Sequence, residues 1–232
     1  MHEAVLPTGT AKVAASLARW GALDQFYLAG GTALALHLGH RRSRDLDFFT
    51  RAPTAALPPL AGLDGMVQQF AEVQWDRRTG DPVPFWVDQV SVTLLAYPFR
   101  HRFPHRAWQG IAVADARDVA VQKARILGRP FLGRRAQARD YVDMHALLTR
   151  GVVSLDELLA WGQETYRDAF SPRLFLQQLT YTEDVADVDS ALTLLVDPVP
   201  FSAIAADLAH EVEVWARGHW PGATPIPGEP RP

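Results

Sequence analysis

The stretch FYLAGGTALALHLGHRRSRDLDFF, residues 26–49, decides the fold. FYLA (26–29) is a short run of apolar and aromatic residues that stops at Gly30-Gly31, which reads as a buried strand entering a tight turn. Thr32 to Leu38 reads as a short helix stopped by Gly39, and DLDFF (45–49) alternates with the period of a strand. Glycines let the backbone turn sharply and come close to a ligand. The free amides at the start of the next helix suit a phosphate, and the Thr32 hydroxyl is placed to donate to it. Gly-rich strand–helix turns are common, so a plain tight turn is the competing reading.

The alternation in 45–49 sends Leu46 and Phe48 into the core and leaves Asp45 and Asp47 on one face. Two carboxylates roughly 6 to 7 Å apart along a strand repel unless a cation lies between them. Hard oxygen ligands at that spacing suit Mg²⁺ bridging to substrate phosphates. A strand edge paired to Arg41, Arg42 or Arg44 is the alternative.

Outward from this unit, residues 11–20 read as a helix, and 66–75 as either a helix or a strand. Phe85 to Val87 and Val90 to Ala96 read as strands around a turn at Asp88-Gln89, and Ile111 to Val113 as a further strand. From Asp115 the pattern is helical, over 116–127, 137–149, 155–168, 172–181 and 201–217. Strands first and helices later predict an α+β chain: a small mixed β-sheet with flanking helices over 1–114, then a helical domain over 115–220 closing the cleft. The last stretch, PGATPIPGEPRP (221–232), has five prolines in twelve residues and reads as a disordered tail.

The chain has 232 residues, no cysteine and a formal net charge of −3. Disulfide frameworks, thiolate metal sites and cysteine nucleophiles are thereby excluded. No apolar run reaches the ~18 residues of a membrane span, and MHEAVLPTGT lacks the pattern of a secretory signal, so a soluble cytoplasmic protein is expected. The charge is uneven. Residues 100–150 hold eleven Lys/Arg against four Asp, while 151–211 hold two Arg against eleven Asp/Glu. This predicts either solvated halves that neutralise each other or a local basic groove for a polyanion. Of 23 basic residues only Lys12 and Lys123 are lysine.

Gly30-Gly31-Thr32 followed by His40-Arg41-Arg42-Ser43-x-Asp45-Leu46-Asp47-Phe48-Phe49 resembles the first motif of the AbiEii/AbiGii-type nucleotidyltransferase toxins. The resemblance continues through Val90 to Tyr97 and Val121-Gln122-Lys123-Ala124. It ends at Arg139-Asp140-Tyr141-Val142-Asp143-Met144-His145-Ala146-Leu147, similar to that family's basic-Asp-x-x-Asp-Leu helix. It implies a Mg²⁺-dependent transfer of a nucleotidyl group from an NTP, by a toxin with a cognate antitoxin, to an acceptor such as tRNA seated on the basic 100–150 segment. It implies that Gly30, Gly31, Thr32 and Ser43 hold the nucleotide and that Asp45 and Asp47 hold the metal. It further implies that Lys123 reaches the triphosphate, that Asp140 completes the catalytic set and that Asp143 supports it. A kinase or nucleotidylating enzyme acting on a protein, or an inactive nucleotide-binding relative, are the alternatives.

The residues bear on two of these roles. Val119, Lys123, Ile126 and Leu127 share the inward stripe of a helix, so Lys123 must snorkel or meet an anion. Asp140 lines up with Met144, Leu147 and Leu148, also inward, where a carboxylate needs a partner. Where many nucleotidyltransferases carry a third carboxylate on a later strand, this chain has Thr93, which puts a two-ion mechanism in doubt. His101 and His105 have the spacing of a zinc pair, but Pro104 interrupts them and no Glu stands between. Trp108, among several basic residues, is a candidate for stacking on a base.

Overall fold

The computed structural model describes residues 1–128 and 136–219. The elements run α1 (Thr8–Leu17), β1 (Phe26–Leu28), α2 (Gly30–Leu38), β2 (Leu46–Thr50), α3 (Leu60–Val67), β3 (Val73–Trp75), β4 (Val83–Val87), β5 (Val90–Leu95), β6 (Arg106–Trp108) and β7 (Ile111–Val113). Helices follow: α4 (Ala116–Gly128), α5 (Ala138–Thr149), α6 (Leu155–Tyr166), α7 (Pro172–Thr180), α8 (Val188–Leu192) and α9 (Phe201–His219). The tail at 221–232, and Arg134 and Arg135 of the basic segment, lie outside the described residues.

The α+β expectation holds. Seven strands form one mixed sheet in the order β3-β4-β5-β2-β1-β7-β6. β2 pairs antiparallel with β1 and parallel with β5, so it sits at the centre. Leu46 and Phe48 of β2 are fully buried, as the alternation requires. All three residues of β1 are buried, which fits a strand covered on both faces. Each such large apolar side chain contributes about 1.5–3 kcal/mol on burial.

Local chemistry sets the boundaries. Gly39, at φ 64°, ends α2 in the left-handed conformation that glycine adopts without penalty. Asp88 and Gln89 both take positive φ in the β4–β5 hairpin, the two-residue turn whose twist matches its strands. Ser154 and Glu157 form a capping box at the start of α6, and Ser171 with Pro172 starts α7.

Several elements differ from the sequence reading, among them α8 and the first turn of α3, which it did not contain. The ambiguous 66–75 segment is both things at once, the end of α3 and then β3. β6 escaped the pattern because it is a three-residue edge strand with only Trp108 buried, joined to β7 through Gln109 and Gly110 at positive φ. The strands end at Val113 and the run of helices starts at Ala116. α2 packs on α4 and α5, which brings the glycine turn against the helical half. Among the described residues no helix is long and apolar enough to cross a membrane.

Candidate active site

A cavity of about 310 Å³ opens where the β1–α2 turn, β2, β5, α4 and α5 meet. Gly30, Gly31, Thr32, Ser43, Asp45, Asp47, Lys123 and Asp140 all line it, so residues from four parts of the chain converge on one space. Thr93 and Arg139 line it as well.

The two glycines are required by their neighbours. Gly30 has φ 63°, and a Cβ there would stand 2.7 Å from Asp47 Oδ2. A Cβ on Gly31 would collide with the Arg41 guanidinium. The turn therefore admits a carboxylate on one residue and a cation on the next. Ala29 precedes α2 without a capping side chain, leaving the first amides of the helix without intrahelical partners.

The Thr32 hydroxyl differs from the expectation. It donates to the Asp45 carbonyl, and Ser43 Oγ, 2.7 Å away, is its other partner. With the Thr32 proton used on the carbonyl, Ser43 supplies the proton between the two hydroxyls. In this state the pair ties residues 43–45 to the first turn of α2, and neither proton points to a phosphate.

Asp45 immediately precedes β2 and Asp47 lies within it. Asp45 meets Arg139 Nη1 at 3.3 Å, a contact with both side chains partly exposed. Asp47 stands beside Thr93 in the β2–β5 register, and the Thr93 hydroxyl hydrogen-bonds it. Burial pushes the Asp47 carboxyl above its ordinary range and Asp45 adds to the push, with Lys123, Thr93 and Arg139 opposing. The pair is thus short of positive charge. Two hard-oxygen ligands in that condition fit a divalent cation that also takes oxygens from a bound phosphate chain. Among the described residues no group of three or more His, Asp or Glu could hold a metal without such help.

Behind this pair lies a second carboxylate centre with the opposite balance. Asp143 on α5 is fully buried. Its Oδ1 accepts from Arg41 Nε at 2.6 Å and His40 Nε2 at 2.8 Å, and its Oδ2 accepts from Arg41 Nη2 at 3.0 Å. Lys123 Nζ lies 2.8 Å from Asp143 Oδ2 and 2.6 Å from Asp140 Oδ1. Burial alone would raise the Asp143 carboxyl, but Arg41 and Lys123 overturn that and hold it well below the usual range. Burial would lower Lys123, yet Asp140 and Asp143 lift it above the ordinary lysine value, so it stays charged. Burial outweighs Asp143 at His40 and lowers it, so His40 is neutral near pH 7 and donates through Nε2.

Lys123 is therefore inward and paired, as its stripe required, but its ammonium is already held by two carboxylates. The carboxylate of Asp140 is likewise engaged: Oδ1 takes Lys123, and Oδ2 takes the Gln137 backbone N–H in the capping box of α5. Arg41 and His40 enter this centre unannounced by any sequence pattern. Both lie in GHRRSRD, but nothing there marks which of three arginines turns inward.

Other candidates resolve differently. Trp108 is buried and its indole N–H donates to Glu3 at 2.9 Å, so it offers no face to a base. His105 stacks on Tyr27, and His101 packs against His105 at a tilt. Much of the basic segment is spent internally: Arg102 on Glu164, Arg117 on Asp115, and Arg150 on the Leu38 carbonyl.

Comparison with known proteins agrees with this geometry. The profile of the family described as "Nucleotidyl transferase AbiEii toxin, Type IV TA system" matches residues 14–100, a span that includes the glycine turn and both Asp45 and Asp47. Uncharacterized protein aq_aa25 of Aquifex aeolicus (strain VF5) is 29% identical over 170 residues, 72% of this chain and 78% of the relative. A protein of H. pylori provisionally assigned as a nucleotidyltransferase aligns with TM-score 0.56 over 97% of each chain at 17% identity. JHP933 from Helicobacter pylori aligns with TM-score 0.55 over 94% of this chain and 91% of its own, also at 17% identity. These two structures share the fold. Over residues 14–100 the chain is thus similar to the nucleotidyl transferase domain of the AbiEii toxins, and over nearly its whole length it shares the fold of the two H. pylori structures.

Proposed function

We propose that this chain moves a nucleotidyl group from an NTP to the hydroxyl of an acceptor RNA such as tRNA, as the toxin of a toxin–antitoxin pair acting in the cytoplasm. The observation that carries the reading is the convergence of the Asp45 and Asp47 carboxylates with the Gly30 turn in one cavity. Residues 1–114 form the nucleotide half in this reading, and 115–220 the helical half that closes over it. The cognate antitoxin is a protein partner that the family's description implies.

Asp45 and Asp47 are the residues that would hold Mg²⁺. When bound, the ion supplies positive charge that polarises the α-phosphate and lowers the pKa of the attacking hydroxyl. The chain supplies the rest. The first amides of α2, at Gly31 and Thr32, donate to phosphate oxygens. Ser43 and Thr32 keep Asp45 in register with that turn. Lys123 has three N–H donors and spends two on Asp140 and Asp143, which leaves the third for the triphosphate. Arg139 is the cation that can leave Asp45 for a phosphate. Positive charge fixed in place before pyrophosphate departs lowers the barrier without reorganisation.

The test is a reaction with each α-labelled NTP, Mg²⁺ and total tRNA, run beside Asp45→Asn. Label in RNA with wild type and none with the variant supports the reading. γ-Label appearing in a protein instead identifies a kinase. No transfer to either acceptor, with MgNTP still raising the melting temperature, identifies a binding relative, the outcome that Thr93 in place of a third carboxylate would explain.

A further inference from the structure

A larger cleft of about 630 Å³ lies between the segment after β5 and the C-terminal end of α6. Arg100, Arg102 and Arg167 line it, with Glu164 as its one acidic residue. Arg102 pairs with Glu164, so that acid is neutralised. Arg100 and Arg167 are exposed and meet no acidic partner among the described residues. A chain with net charge −3 thus keeps two uncompensated guanidinium groups facing one hollow.

The cleft is built rather than incidental. The Asp118 carboxylate accepts the backbone N–H groups of Arg102 at 2.8 Å and Phe103 at 3.0 Å, pinning this segment to α4. A row of rings runs from it to the catalytic cavity: Tyr166 against Phe99, Phe99 against Tyr97, and Tyr97 stacked on Phe49, which lines the catalytic cavity. Gln122 stands between the two spaces. It lines the catalytic cavity and also the narrow recess that adjoins the cleft. Its buried Oε1 has no partner, and a buried acceptor left open is costly unless something donates to it. Arg167 itself sits at φ 48°, in a backbone region that ordinarily takes glycine, yet the chain keeps an arginine there.

We infer that this cleft holds a single-stranded segment of the acceptor RNA, with its phosphates on Arg100 and Arg167. Arginine forks suit phosphodiester oxygens, and a single strand leaves those oxygens free to reach both. The inference deepens the acceptor reading above and rests on it. It moves the seat of the RNA from the basic segment as a whole to a site shared between residues 98–102 and 165–167.

The experiment measures anisotropy of a short fluorescein-labelled single-stranded RNA, without nucleotide, against the full chain over a salt series. Arg100→Ala with Arg167→Gly should weaken binding at least tenfold. It should also flatten the slope of log K against log salt by about 1.4, the share of two phosphates on a single strand. Arg167→Gly alone should hold or raise the melting temperature while weakening binding, because glycine relieves the backbone. Arg77→Ala, a cation elsewhere on the surface, should bind as wild type. Unchanged affinity and slope in the double variant, or an equal loss in Arg77→Ala, overturns the cleft. So does transfer of α-label to a protein at a rate the double variant leaves intact. The two readings separate cleanly. If MgNTP fails to stabilise the protein while the double variant still loses RNA, the cleft stands and nucleotidyl transfer does not.

Discussion

Two carboxylate centres share one cavity wall and are balanced in opposite ways. Asp143 is fully buried and meets Arg41, Lys123 and His40, and its carboxyl is driven well below the ordinary range. Asp47 is half-buried beside Asp45, and its carboxyl is driven up. The first centre is complete in the free protein. The second is short of cations, which is the condition a metal–nucleotide complex would relieve. Charge balance therefore separates the acids that hold the cleft together from those that await a ligand, although they lie within one site.

The comparison breaks first at Asp47. Asp47→Asn should lower nucleotidyl transfer by about 10³-fold or more, about 4 kcal/mol of transition-state stabilisation. The same change should leave the metal-free fold as stable or more so. Because the folded carboxyl of Asp47 is raised, its charge costs stability at every pH above the unfolded value of about 4. The cost grows as pH rises toward the folded value and is constant beyond it. Melting temperatures in EDTA from pH 4 to 8 check the sign: a variant less stable than wild type at pH 8 would make Asp47 structural.

Asp143→Asn should do the reverse. It leaves Arg41 and Lys123 buried with one anion fewer, and breaking such a pair costs about 3–5 kcal/mol. The lowered carboxyl contributes fully above about pH 4 and loses its contribution as pH falls through the depressed folded value. Wild type should then lose stability in strong acid along a path that the variant no longer follows. Urea unfolding at pH 7 and pH 3 measures both, and equal stability of the two proteins at pH 7 would refute the hub.

Lys123→Met comes next. Lys123 Nζ serves Asp140 and Asp143 at 2.6 and 2.8 Å, so a methionine that keeps the apolar stem still removes a cation shared by two buried acids. A loss of about 1–3 kcal/mol is expected, since both acids keep other partners. Lys123→Met with Asp140→Asn should recover part of it. Nucleotide-dependent stabilisation should fall in both variants, and full retention would take Lys123 off the triphosphate.

The difference between the centres also marks how far the residues could be read. Asp45 and Asp47 were legible because a strand's period puts i and i+2 on one face, and the glycine turn precedes them by a fixed distance in sequence. Lys123 and Asp140 were legible as inward positions because helical stripes are local patterns. Their pairing with each other was not, since no pattern links one helix face to another. Arg41 was least legible. Residues 39–45 have no periodicity, so Arg41, Arg42 and Arg44 look alike, and Asp143, the acid that selects Arg41, is 102 positions away. β6 was missed because three residues on a sheet edge, two of them exposed, carry too little alternation to read.

The smallest effect on stability should come from Arg139, and it sharpens the comparison most. Arg139 contacts Asp45 at 3.3 Å, with side chains 42% and 35% exposed, so solvent screens the pair. Exposed ion pairs contribute about 0–1 kcal/mol. Arg139→Gln should therefore shift the melting temperature by at most a few degrees. Its consequence should appear only with ligand. If Arg139 passes from Asp45 to a phosphate when MgNTP enters, wild type gains stability by mass action and the variant gains less. In the free protein the same substitution removes the cation nearest Asp45 and makes the pair still shorter of positive charge. Binding of Mg²⁺ without nucleotide should then be unchanged or tighter, while binding of MgNTP weakens. Opposite responses to the two ligands identify Arg139 as a phosphate contact that rests on Asp45 in the free state. A parallel loss of both would make Arg139 part of the metal site's scaffold, and no change in either would reduce it to a surface pair.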